Sequence, residues 1–316
     1  MELFLSNCAI AAKQVVILYV IVAAGYVCDK LNVFTEKTAR ACNNLLFYVI
    51  TPCVIVKSFI TTEFTPETAK GLLLAVMCGA ITHLSGIVLS LPFFRSKDNR
   101  DNAIFKFACV YGNMGYMALP LTQAMLGSEG VFYCSAGITV FQVFCFTHGV
   151  WTMNRGNEGE AKFRPKNLIL NPGVIAVIIG LPLFLLKVKV PGMLESPISF
   201  VGSMNTPLAM LMLGTYMSNA GLKTIFKNKE QYLVAFVKII CVPLCCIAIL
   251  RLTGLVTGTL FTSAIIQASA PSANNTVMFS AKYDRDTGVA SKTVAFVSFA
   301  SIITMPIMIA LTQMGA

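Results

Sequence analysis

Charge is scarce in this chain. Only 12% of its 316 residues are Asp, Glu, Lys or Arg, against about 25% in a soluble domain. By contrast 56% are hydrophobic, and mean hydropathy is +0.74. A soluble protein of this size could not cover so much apolar surface, which leaves a polytopic membrane protein. Acidic residues are missing where they would matter most. All fourteen lie in loops or near the ends of apolar runs. That argues against a midplane carboxylate relay and against the paired aspartates of an intramembrane protease. The eleven cysteines form no CxxC pair and most lie inside apolar runs, so they read as small buried hydrophobes, not as metal ligands or a disulfide framework. There is no P-loop, no nucleophile–base pair and no metal-ligand cluster. An enzyme is therefore not expected, nor a cofactor or a metal. The N-terminus lacks a basic n-region and a convincing cleavage site, so the first apolar run reads as a retained helix.

What the chain has is apolar segments near the ~20 residues that a bilayer requires. Ten can be drawn, at 9–28, 40–60, 71–94, 103–126, 131–153, 171–187, 197–218, 232–251, 258–281 and 290–312. The segment 171–187 is short and contains Pro182. The net charge of +10 does not point to nucleic acid, because the basic residues sit in short loops between apolar runs. With the N-terminus outside, seventeen of them fall in inner loops and six on the outer side. The positive-inside rule then puts both termini outside. Localisation in the cell membrane, with many passes, is the expectation.

The longest polar stretch, 154–168, divides the chain into a first five-helix repeat (1–153) and a second (169–316). An odd number of spans per half gives the halves opposite topology. Their punctuation matches: Thr51-Pro52 with Thr206-Pro207, Gly25 with Gly180, Pro92 with Pro243 and Pro120 with Pro271. The fold class expected is an all-α membrane protein of ten helices in two inverted repeats.

Two segments are punctuated at their centres. Residues 108–127 carry Gly112, Asn113, Gly115 and Pro120, and residues 268–276 carry Ser269, Pro271, Asn274 and Asn275. Glycine loosens a helix and proline removes a backbone donor. The freed groups cannot face lipid and must meet protein, water or a ligand. Paired broken helices in corresponding halves mark the substrate site of a secondary transporter. The expected crossover residues are Gly112, Pro120 and Pro271. Expected substrate contacts are Asn113, Gly115, Ser269, Asn274 and Asn275. Neutral amides at half-helix N-termini suit an anion, since N–H groups and the positive dipole end face it without a buried fixed charge. Gln123, Gln142 and His83 are candidates for ion or proton coupling, although interhelical hydrogen bonding accounts equally for Gln142 and Asn205. Lys238 is the other polar residue within a segment besides His148 and Gln267. Trp151 reads as an interface anchor.

On Asn113-Met-Gly-Tyr-Met-Ala-Leu-Pro120, Asn171-Pro-Gly173, Ala268-Ser-Ala-Pro271 and Phe279-Ser-Ala-Lys-Tyr283, the chain resembles the auxin efflux carrier family, which includes the plant PIN exporters and bacterial malate and malonate permeases. The resemblance covers essentially the whole chain. It implies a scaffold of helices one, two, six and seven that dimerises, and a transport bundle with crossing broken helices at positions four and nine. It matches Asn113 to the asparagine that contacts the substrate carboxylate, and Pro120 and Pro271 to the crossover prolines. Two departures from the PIN pattern, a short central loop and replacement of a second proline near Asn275-Thr276, favour a small carboxylate over auxin. The function expected is secondary-active or potential-driven transport, with export the expected direction, of small mono- or dicarboxylates. The alternatives are a sodium-coupled symporter of the bile-acid type, and a channel or receptor with the same core. The partners expected are the organic anion, the lipid bilayer and a second copy of the chain.

Overall fold

The computed structural model describes residues 2–95, 100–155, 170–219, 226 and 228–312. Most of the polar stretch expected to join the two halves, residues 156–168 of 154–168, lies outside them. The described residues are almost entirely helical, and their one β feature is an isolated bridge. The helices are α1 (Glu2–Lys30), α2 (Glu36–Thr61), α3 (Pro66–Ser90) and α4 (Asn102–Val110). The stretch Met114–Asn154 follows, interrupted at Gly127, whose φ of 63° and ψ of −152° are not helical. Its parts, 114–126 and 128–154, are α5 and α6. The second half contains α7 (Pro172–Leu185), α8 (Gly192–Ser203), α9 (Asn205–Asn219), α10 (Lys229–Thr253), α11 (Gly258–Ser269), α12 (Asn275–Lys282) and α13 (Thr287–Thr312).

Six helical stretches are long and apolar enough to cross a membrane: Ala12–Lys30, Glu36–Thr61, Pro66–Ser90, Met114–Asn154, Lys229–Thr253 and Thr287–Thr312. With Pro172–Leu185 as a shorter apolar helix, this is an all-α membrane protein. Large apolar side chains such as Val20, Leu73, Val88 and Ile303 stand exposed on the outer faces, as lipid contact requires. Three of the expected segments are not continuous. The stretch 103–126 breaks at 111–113, 197–218 turns at Met204, and 258–281 breaks at 270–274.

Local chemistry explains the ends and irregularities. Thr65 and Thr68 close a reciprocal cap at the start of α3, each hydroxyl accepting from the other's backbone N–H at 3.2 and 2.9 Å. Three π-turns, Leu46–Ile50, Met114–Ala118 and Phe236–Cys241, each end two residues before a proline: Pro52, Pro120 and Pro243. Proline has no N–H to donate and its ring presses on the preceding turn. A widened turn there absorbs it without ending the helix.

Small residues set the close approaches. A Cβ on Gly25 of α1 would collide with the Leu211 carbonyl of α9, and one on Gly214 of α9 would collide with the Val22 carbonyl of α1. In the other half a Cβ on Gly180 of α7 would fall 2.7 Å from the Phe59 ring of α2. So α1 packs on α9, and α7 on α2. One apolar core runs from α2 and α3 through α4, α6, α10 and α11 to α13, and a second joins α1, α2, α5 and α9.

Candidate functional site

The two helix breaks cross each other in the interior. Tyr111 (φ −95°, ψ 108°) ends α4 in an extended conformation, as Ala270 (φ −59°, ψ 136°) ends α11. Between them Gly112 and Ser272 form the antiparallel bridge. The Asn113 N–H donates to the Pro271 carbonyl at 2.7 Å, and the Ala273 N–H donates to the Tyr111 carbonyl at 2.9 Å. The Ser272 hydroxyl donates to the Ala108 carbonyl at 2.8 Å. Residues 270–273 and 111–113 are buried. Each break thus satisfies much of the backbone that the other sets free, where no water is at hand.

Little space is left around Gly112. A Cβ there would lie 3.1 Å from Lys238 Nζ and 3.3 Å from the Ala270 carbonyl oxygen. Lys238 itself is fully buried, in the π-turn of α10, and its ammonium donates to the Ala268 carbonyl at 3.3 Å. That carbonyl belongs to the last turn of α11, where unpaired carbonyls carry the negative end of the helix dipole. A cation is therefore tethered to the protein beside the crossing. Sequence reasoning placed Lys238 inside a segment without assigning it to the site. The signal was present, since a lone ionisable residue within a span is a functional candidate by default.

Asn113 caps the helix that follows the first break: its Oδ1 accepts from the Tyr116 N–H at 3.3 Å. The side chain is buried, and its Nδ2 has no hydrogen-bond partner. The Ser269 and Thr276 hydroxyls are also buried without partners, one at each end of the second break. Buried donors left unpaired are rare and call for a reason. A Cβ on Gly115 would meet nothing within 4 Å, and its carbonyl accepts from Asn205 Nδ2 at 3.4 Å. Asn205 also accepts from the Thr51 hydroxyl at 3.3 Å, tying α2 and α9 to the crossing.

Asn274 and Asn275 sit at the start of α12 and line a cleft of about 620 Å³. The cleft lies between α2 and α9 on one side and α12 and α13 on the other, with Arg40, Asn43 and Lys292 among its lining. Arg40 is ion-paired with Glu36. Asn113 is not part of that lining. The structure therefore gathers Gly112, Asn113, Ser269 and Pro271 at the crossing and puts Asn274 and Asn275 on the cleft beside it.

Pro120 is not at a break. It stands at the start of the α-helical run after the Met114–Ala118 π-turn, whereas Pro271 is in the break itself. Gln123 is exposed near the end of α5. Gln142 accepts from Asn171 Nδ2 at 3.2 Å, while Asn171 Oδ1 caps α7 by accepting from the Gly173 and Val174 N–H groups. That is the interhelical role. His83 is fully buried, with Nδ1 2.7 Å from the Gly79 carbonyl and its ring packed near Tyr111 and Phe144. Its Nε2 has no partner.

Comparison with known proteins gives a consistent answer. Residues 10–309 match the model of a family described as membrane transport protein. An uncharacterized transporter of Methanocaldococcus jannaschii is 23% identical over 282 residues, 86% of this chain and 89% of that protein. An uncharacterized transporter of Methanothermobacter thermautotrophicus is 23% identical over 94% of this chain and 97% of its own length. A Rhizobium meliloti protein named "Putative malonate transporter" is 22% identical over 92% of each chain. These names are of transporters, not enzymes.

Proposed function

The chain belongs to the membrane transport protein family, of the auxin efflux carrier type, and on that premise we propose that it is a secondary carrier of small organic anions, mono- or dicarboxylates. The observation that carries this reading is the buried Asn113 amide nitrogen, Nδ2, without a partner at the crossing of two broken helices. The carboxylate accepts from Asn113 Nδ2 and faces the N-terminal ends of α5 and α12, with Asn274 and Asn275 at the second of these and Ser269 and Gly115 nearby. Helix N-termini favour an anion by dipole and by N–H donation. The relative named for malonate supports the substrate class.

Lys238 favours a carrier without obligatory sodium. Half-helix C-terminal carbonyls are where such transporters hold a coupling cation, and here the lysine ammonium donates to one of them. The membrane potential alone drives an anion outward at ~2.3 kcal/mol per charge per 100 mV. Export by uniport therefore needs no further energy source.

The architecture we propose is two inverted repeats, 1–153 and 169–316, joined by the loop at 154–168. The packing of α1 on α9 and of α7 on α2, through Gly25 and Gly180, supports that pseudo-symmetry. A scaffold containing α1, α2 and α7 to α9 forms the homodimer, and the remaining helices move against it in alternating access. Both termini lie outside the cell membrane. In that orientation the cleft lined by Arg40, Lys292 and Asn275 opens inward, the side from which an exported anion enters. A panel of carboxylates tested for uptake and counterflow in proteoliposomes decides the function. Saturable counterflow of a small carboxylate supports it; flux without counterflow indicates a channel, and strict dependence on sodium indicates a symporter.

A further inference from the structure

A second polar cavity, of about 400 Å³, lies away from the crossing, among the ends of α3, α4 and α6. Arg95, Arg100, Lys106, Arg155 and Arg285 line it. No carboxylate lies within ion-pair distance of any of the five among the described residues. Arg285 is occupied structurally. It donates to the carbonyls of Met153 at 3.0 Å, Arg100 at 3.2 Å and Arg155 at 2.7 Å, which fixes the cavity wall. Among the described residues, Asp101 and Asp284 act electrostatically on Arg285. The other four line the same cavity and, among the described residues, form no ion pair; like charges gathered in one space favour an anion among them.

The rim of the cavity shows where that anion comes from. Trp151 lines it, is 59% exposed and carries the Arg155 guanidinium 5.4 Å from its ring centroid. Leu91 on the rim is 50% exposed, and Val88 one turn earlier is 62% exposed. Exposed Trp beside exposed aliphatic side chains is the signature of the membrane–water boundary. Acyl chains would lie along Val88 and Leu91, with a phosphate head between the arginines. A soluble phosphate would draw nothing from that apolar flank.

We propose that this cavity is a binding site for the phosphate head of an anionic phospholipid. It does not rest on the transport reading, since none of its residues belongs to the crossing. Basic pockets between spans recognise anionic heads in this way.

The sequence supplies its own probe, because Trp151 is the only tryptophan. The full-length protein is placed in nanodiscs containing phosphatidylglycerol or phosphatidylcholine brominated on the acyl chains, and quenching of Trp151 is compared. Preferential quenching by the brominated anionic lipid is expected, and its loss at high salt. Arg100→Gln and Lys106→Gln should each lower the preference roughly fivefold, whereas Arg100→Lys and Lys106→Arg retain it. Thermal unfolding of the same samples shows whether each variant is folded, and the charge-conserving pair keeps the comparison decisive if a neutral variant is not. Inorganic phosphate or glycerol phosphate titrated into phosphatidylcholine nanodiscs should leave Trp151 emission unchanged. Equal quenching by both lipids, a preference surviving in folded Gln variants, or a saturable response to free phosphate in place of the lipid would each overturn the proposal.

Discussion

Gly112 and Ser272 face each other as an antiparallel bridge in an otherwise helical interior. They come from helices far apart in sequence, and each lies where its helix has come apart. The bridge makes two interrupted spans affordable in a bilayer, since the N–H groups of Asn113 and Ala273 find carbonyls across it. It also leaves the N-terminal ends of α5 and α12 free of a preceding helical turn.

Gly112 should tolerate alanine and reject larger side chains. A Cβ would press on the Lys238 ammonium at 3.1 Å, a flexible neighbour, but also on the Ala270 carbonyl at 3.3 Å. Gly112→Ala is expected to cost little in stability and to reduce flux. Gly112→Val adds bulk against backbone, with a penalty of about 1–3 kcal/mol. Thermal unfolding and flux of both variants check this; a Gly112→Val protein as stable and active as the parent would show that the crossing is looser than described.

Lys238 is expected to be essential for flux. Lys238→Met keeps the length of the side chain and removes the charge, so the Ala268 carbonyl loses a charge-assisted donor worth ~1.5–3 kcal/mol. Carboxylate flux should fall about 10- to 100-fold in protein that is still monodisperse. Lys238→Arg, bulkier and with a fixed charge, should not restore it fully. Flux unchanged in Lys238→Met would remove this residue from the site.

Asn171 offers the opposite expectation. It caps α7 and holds Gln142, and neither touches the crossing. Asn171→Ala should cost about 1 kcal/mol of stability, seen as a lower melting temperature, while substrate affinity is retained. A loss of affinity without loss of stability would instead make Gln142 part of the binding machinery.

How much of this could be read from the chain depends on which residue did the work. The break at 270–274 was legible because Pro271 is in it. The first break was legible from Gly112 and Asn113, but Pro120 misplaced its centre. A proline in an apolar segment marks a break, a π-turn or neither, as Pro182 and Pro306 lie inside α7 and α13, and sequence alone does not separate these cases. Pro52, Pro120 and Pro243 are all absorbed by π-turns. Two of the four matched pairs sit in different local structures. Pro243 lies within α10, whereas Pro92 lies beyond the end of α3; Pro271 is in a break, whereas Pro120 follows a π-turn. Gly25 and Gly180 each close a contact between two helices, α1 with α9 and α7 with α2. Asn274 and Asn275 were expected from their position beside the break, and both line the cleft. Lys238 escaped because a single basic residue in a run such as Val237-Lys238-Ile239 has no spacing to mark it; only the fold shows it reaching Ala268.

The central claim is that Asn113 donates to the carboxylate of the substrate. Its most direct test is the affinity of purified Asn113→Ala for a small dicarboxylate such as malonate, measured beside the parent protein by calorimetry. Nδ2 has no partner within the protein to lose, and Oδ1 loses one cap, so folding should be affected only modestly. The account predicts affinity lower by about 10- to 100-fold, the loss of a donor to a charged group. Affinity equal to that of the parent, in a folded variant, would contradict it.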